Sequence, residues 1–211
     1  MCESIAGLQA VSSGAILFQH VDLKGLTPRE IIKKGISMSF VPEDRLGMGL
    51  VGSMGMADNL LLKKYQNQPG AFLTRKQAAA LSEQLIEQLN IVTPGIGTPV
   101  RQLSGGNVQK VLLGREIASE PSLLITAYPV RGLDINSSMT IYRLLDEQKA
   151  RGVAILYIGE DLDVLLELCD RIMVLCGGKV TGIVSAKSVN KEMLGLMMTG
   201  STYEEASHHA S

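Results

Sequence analysis

An α/β fold is what this sequence predicts: a mainly parallel sheet covered by helices, with an α-helical subdomain set into it. Three observations carry that expectation. Short β-branched or apolar runs recur at residues 14–18, 36–41, 123–127, 153–158 and 171–175. Most are separated by stretches of helical periodicity, the order that produces a parallel sheet shielded by helices. Residues 42–74, broken by Gly47, Gly49, Gly52, Gly55 and Gly70, interrupt the alternation and read as a mobile loop feeding a helical lobe.

Taken in chain order, MCESIAGLQAVSSGAILF reads as the end of a helix followed by a turn and a strand. Nothing before it covers the helix's apolar side, so the expectation is that a segment precedes Met1. Residues 75–89, RKQAAALSEQLIEQL, give the clearest helix, with Ala79, Leu81, Leu85, Ile86 and Leu89 as its apolar stripe. Further helices are expected at 106–119 and 136–150, the latter capped by Ser137 or Asn136. Residues 176–179 form a hairpin-like turn, 190–198 a closing helix, and 201–211 a frayed tail. The expected division is one partial domain over 1–211: core strands in 1–45 and 120–200, a helical subdomain over about 46–119, and a flexible tail 201–211.

Bulk properties narrow the function classes. With 211 residues and 45% hydrophobic content the chain can bury a substantial core. A formal net charge of −1 and 4% aromatic residues give neither the basic face nor the stacking platforms of a nucleic-acid binder. Cys2, Cys169 and Cys176 are widely spaced and form no CxxC pair, which fits reduced thiols and no zinc site. His20, His208 and His209 lack ligand spacing, so no metal is expected. No uncharged run approaches the roughly 18–20 residues that cross a bilayer.

Residues 103–110, LSGGNVQK, carry the strongest chemical signal. Ser104 offers a hydroxyl, while Gly105 and Gly106 let a ligand approach the backbone. The amides at the start of the following helix point outward toward an anion that the helix dipole favours. An ordinary helix cap with flexible glycines is the plain alternative.

About twenty residues later an apolar strand ends at Pro129, followed by RGLD, a helix, and a second strand that ends in GEDL. That order resembles the ATPase subunit of an ATP-binding cassette (ABC) transporter. LSGGNVQK is similar to its signature motif, LLITAYP to its Walker B strand, GLD to its D-loop, and IGEDL to the position of its switch histidine. PEDR at 42–45 and the following GMGLVGSMGMADNLLL resemble the second cassette of tandem importer ATPases for simple sugars and nucleosides, nearest the branch paired with basic-membrane-lipoprotein-type binding proteins. The resemblance implies a truncated RecA-like core with a signature subdomain. Glu43, Asp44 and Arg45 then fall in the Q-loop that couples to transmembrane subunits, though a solvated charged loop is the simpler account.

Departures from the family pattern shape the functional expectation. No GxxxxGK[ST] phosphate loop (Walker A) occurs in the chain, which therefore looks like a cassette cut just after that loop. Ala127 stands where the family has its magnesium-binding aspartate, Tyr128 where it has the catalytic glutamate, and Glu160 at the switch histidine. Tyrosine is a poor general base at neutral pH, and alanine holds no metal-bound water. Glu160 also suits a helix start, and Tyr128 packing at a strand end.

In the family each ATP lies between the phosphate loop of one cassette and the signature of the other. The resemblance thus implies that Ser104, Gly105, Gly106 and Asn107, with Asp134 of the D-loop, contact ATP and magnesium held mainly by a second cassette. Asp134 has the alternative of an ordinary turn acid. The implied partners are that cassette, transmembrane permease subunits and, indirectly, an extracytoplasmic solute-binding protein, with the chain at the cytoplasmic face of the membrane. A non-catalytic regulatory or assembly module is the alternative. The C-terminal lobe of a split DNA-maintenance ATPase is a third possibility, disfavoured by PEDR and the neutral charge.

Overall fold

The computed structural model describes residues 1–34, 36, 38–64 and 75–209, in two compact units, Met1–Ile158 and Gly159–Ser211. The first unit begins with α1 (Cys2–Ile5) and a short antiparallel pair, β1 (Leu17–Phe18) with β2 (Val21–Asp22). The two residues between them, Gln19 and His20, both have positive φ (46° and 68°), as a tight hairpin with right-handed strand twist requires. The run at 14–18 therefore forms this small hairpin and does not join the parallel sheet. Thr27 and Glu30 cap α2 (Pro28–Lys33) reciprocally, with Pro28 at its start. Ile31 of α2 packs with Leu23 and Ile36 into a small core of its own.

The parallel sheet has the order β3 (Met38–Val41), β4 (Leu123–Ala127), β5 (Ala154–Ile158), with Met38 opposite Leu123 and Leu123 opposite Ala154. Val41 and Leu124 join the main core, which contains Val108, Val111, Leu112 and Leu113 of α5 (Gly105–Ile117) and Ile141, Leu144 and Leu145 of α6 (Ile135–Ala150). Covering apolar side chains of this size contributes roughly 1.5–3 kcal/mol each. Ser39 is also fully buried, and its hydroxyl donates to the carbonyl of Glu116 at 3.1 Å, fastening β3 to the end of α5.

Helices α3 (Met56–Lys64) and α4 (Lys76–Leu89) complete the unit. The buried side of α4 is Ala78, Ser82, Leu85 and Leu89, rotated from the expected stripe, so that Ala79, Leu81 and Ile86 are only partly covered. Ser82 is tolerated there because its hydroxyl donates to the carbonyl of Ala78 at 2.7 Å, a bond invisible to hydropathy. Leu85 and Leu89 sit against Gly114 of α5, where a Cβ would come within 2.9 Å of Leu89 Cδ1.

Between β3 and α3 the chain is more ordered than its composition suggests. Residues Arg45–Gly49 form a π-helical turn capped by Asp44, whose carboxylate accepts from the Gly47 amide at 2.8 Å. Asn59 is fully buried and acts as a hub: its Oδ1 accepts from Val51 N at 2.8 Å, while its Nδ2 donates to the carbonyls of Val51, Met54 and Gly55. Leu50, Met56, Leu60 and Leu61 enter the main core. Over 50–61 the stretch expected to be a loose loop is a turn running into a helix, with the Asn59 amide bonding the turn's backbone through both its oxygen and its nitrogen. Residues 65–74, including Gly70, lie outside the described residues.

The second unit contains α7 (Leu162–Leu168), the antiparallel hairpin β6 (Arg171–Cys176) and β7 (Lys179–Ser185), α8 (Lys191–Met198) and α9 (Tyr203–His209). Gly177 and Gly178 turn the hairpin at φ 54° and 78°. The run at 171–175 thus pairs locally with its successor. Ile172, Val174, Val184, Leu194, Met197 and Ala206 form the unit's core. Ala206 belongs to the stretch expected to fray; its burial accounts for the helix found there.

Candidate functional site

Ser104 is the N-cap of α5, with extended backbone (φ −64°, ψ 155°). Its Oγ accepts from Asn107 N at 3.5 Å and from Asn107 Nδ2 at 2.9 Å, and Asn107 Oδ1 accepts from Val92 N at 3.0 Å. Asn107 is thereby pinned between its own helix start and the chain after α4. Ser104 and Gly105 are exposed and Gly106 is buried, so the helix presents its first turn to solvent on one side only.

The buried side of that turn meets the start of α6. Asp134 is the cap of α6, one residue ahead of Ile135, and its Oδ1 accepts from Ser137 N at 2.9 Å while Oδ2 accepts from the Ser137 hydroxyl at 2.6 Å. Neither Ser137 nor Asn136 caps this helix; Ser137 is the donor to the cap, because the chain is already helical at 135. A Cβ on Gly106 would collide with Ser137 Oγ and approach Asp134 Oδ2 to 3.8 Å. Glycine at 106 is what allows the Ser104–Asn107 turn and Asp134 to lie side by side.

The Ser137 hydroxyl and, next, its backbone amide hold the Asp134 carboxyl below the usual carboxylate range. Because the folded value is lowered, any stability this group contributes is present above the ordinary carboxylate range and is lost as pH falls through the folded value. A carbon-detected NMR titration of Ser137→Ala is expected to move the Asp134 midpoint upward; an unmoved midpoint would remove the hydroxyl as the cause.

Glu43, Asp44 and Arg45 do not act as one group. Asp44 caps the π-helical turn, while Glu43 reaches Arg131 in an exposed ion pair. Arg45 is half-buried: its Nε donates to Gln109 Oε1 at 2.7 Å and its Nη2 to the carbonyl of Arg131. Burial pulls its guanidinium below the ordinary value. Nothing in the local sequence singles out Gln109 or Arg131 as the partners of Arg45. Gln109 is fully buried in the apolar part of α5, and only its position opposite Arg45 explains a polar residue there.

Ala127 ends β4, and Tyr128 follows with φ +49°, a left-handed conformation costly for a bulky residue. Tyr128 N donates to the carbonyl of Ile158 at 2.8 Å, and the Arg131 guanidinium lies over the ring at 5.8 Å from its centroid. Beside them is a cleft of about 540 Å³ lined by Phe40, Pro42, Glu43, Asp44, Met48, Ala127, Tyr128 and the first three residues. Glu160 lies in the second unit, exposed; the cap of α7 is its neighbour Asp161, which accepts from Asp163 N at 3.0 Å. Among the described residues no cluster of three or more His, Cys, Asp or Glu could hold a metal ion, and no helix is long and apolar enough to cross a membrane.

Against known proteins, no family model matches the chain. It is 36% identical over 209 residues, 98% of its length, to the guanosine import ATP-binding protein NupO of Bacillus subtilis, and 34% identical over 205 residues to the glucose import ATP-binding protein TsgD13 of Haloferax volcanii. It spans 41% and 37% of those two proteins, about two fifths of their length. Among solved structures, the ATP-binding cassette MJ0796, seen as a dimer bound to ADP and Pi, superposes with TM-score 0.75 at 20% identity, over 89% of this chain and 79% of that one.

Proposed function

We propose that this chain, which has the fold of an ATP-binding cassette and is related in sequence to sugar and nucleoside import ATP-binding proteins, is part of the ATPase component of such an importer. In this proposal it corresponds to a second cassette and supplies the signature side of a composite ATP site. The observation that carries it is the exposed Ser104–Gly105 turn at the N-terminus of α5, held beside Asp134 by the missing side chain of Gly106. Backbone amides of that turn and the dipole of α5 suit the γ-phosphate of an ATP bound by a partner cassette. Ser104, already engaged by Asn107, presents its hydroxyl in a fixed orientation.

Residues 43–62 are the segment offered to transmembrane permease subunits at the cytoplasmic face, with a solute-binding protein acting through those subunits. Met48, Val51, Met54 and Leu62 are exposed apolar side chains there. Movement of this segment on closure around ATP would carry the signal. The chain's own half-site does not fit hydrolysis, because Ala127 and Tyr128 offer no carboxylate to hold magnesium or accept a proton from water. The same substitutions favour, as a second reading, a regulatory module that neither binds nor cleaves nucleotide.

Turnover of Mg-ATP by a partner cassette bearing a GxxxxGK[ST] loop and both acids, measured with and without this chain, separates the two. Stimulation that Ser104→Ala weakens supports the composite site; a chain that assembles without changing turnover supports the module. The double variant Ala127→Asp, Tyr128→Glu is expected to leave the 211-residue chain without ATPase activity of its own, since it carries no such loop. Phosphate release above background by that variant would contradict this account.

A further inference from the structure

Three segments far apart in sequence meet at one guanidinium. Arg45, in the π-helical turn, donates from Nε to Gln109 on α5 at 2.7 Å and from Nη2 to the carbonyl of Arg131 in the loop before α6. Its remaining nitrogen, Nη1, lies 3.7 Å from where a Cβ on Gly105 would stand, so the cation rests against the exposed glycine turn. Arg131 returns the connection, pairing through its own side chain with Glu43. On the other side of the turn, Gly49 packs so closely on α5 that a Cβ would lie 2.9 Å from Leu112 Cδ2.

The partners are committed to these contacts. Gln109 is fully buried, with Nε2 unpartnered, so Arg45 is the contact that satisfies its carbonyl oxygen. The loop that receives Nη2 starts at Tyr128, whose left-handed backbone persists only if its surroundings hold it. A planar guanidinium fork holds two acceptors at a fixed spacing from separate nitrogens, a geometry that the single rotating ammonium of a lysine does not fix.

We propose that Arg45 is a positioning residue that makes the 42–49 segment, the glycine turn of α5 and the loop leading to Asp134 move as one body. Displacement of the exposed apolar residues at 46–54 is then transmitted to Ser104–Gly106 and to the loop before Asp134. The use of this link in transport rests on the function proposed above; the link itself does not.

The test is residue-resolved amide hydrogen exchange by NMR on the full chain without nucleotide. Arg45→Lys keeps the charge and removes the fork. It is expected to raise exchange about tenfold at Leu50, and equally at Val108 and Leu133 across the two contacts. The α4 amides of Leu85 and Leu89 are expected to stay unchanged, reporting intact folding. Gln109→Met, which keeps the volume, reads the link from its other end and is expected to loosen Gly49 and Leu50. Exchange confined in each variant to the substituted segment would overturn the proposal, as would full retention of protection in Arg45→Lys. No nucleotide is present, so a failed Ser104 contact with ATP would leave either result standing.

Discussion

Replacing Glu116 by alanine is expected to destabilise the first unit by about 3–5 kcal/mol, the cost of removing one partner from a buried ion pair. Glu116 is 1% exposed at the end of α5, with Lys63 Nζ from α3 at 2.5 Å from Oε2 and Arg115 Nη2 at 2.8 Å from Oε1. Arg115 is itself only 12% exposed, so the variant strands a cation that water cannot fully reach. Lys63→Met removes the more exposed partner, 33% accessible, and should cost less because Arg115 still neutralises the carboxylate. Urea unfolding followed by circular dichroism measures both, with an unchanged slope marking a stability effect alone. A loss below about 1 kcal/mol in Glu116→Ala would mean the triad is solvated like a surface pair.

The second large effect is functional. Gly106→Val directs its Cβ at Ser137 Oγ, with Ser137 Cβ only 3.1 Å away, and must push the starts of α5 and α6 apart. In the composite-site proposal this separates the Ser104–Asn107 turn from Asp134. Mg-ATP turnover by the assembled cassettes is expected to fall about 10²–10³-fold, the scale of losing one preorganised donor at a developing charge. Ser104→Ala is the milder comparison, removing a helix cap worth about 1 kcal/mol while leaving the two helix starts in contact. If Gly106→Val assembles normally and turns over at the wild-type rate, the glycine serves packing alone and the ATP-facing role fails.

The sequence made several elements legible for identifiable reasons. The 3.6-residue pattern of 75–89 and the β-branched run at 123–127 are dense local signals, and both elements lie within one residue of expectation. The Ser104 cap was visible as well, since a hydroxyl followed by two glycines and a periodic stretch is local chemistry. The rotated face of α4, the order around Asn59 and the helix at 203–209 were not visible. Each depends on a partner that hydropathy does not encode: the Ala78 carbonyl for Ser82, three turn carbonyls for Asn59, and the second core for Ala206.

The same division runs through the candidate site. By itself the sequence determined which chemical groups are available: an anion-suited turn at 104–107, an aspartate at 134, and no carboxylate at 127 or 128. Residue type and local spacing suffice for that, because caps and helix dipoles act within a turn of chain. Only the tertiary structure decided that Gly106 lets two helix starts touch and that Arg45 joins residues 64 and 86 positions away. Such contacts form where packed elements bring distant donors and acceptors within about 3 Å, a condition set by the core and not by the local sequence.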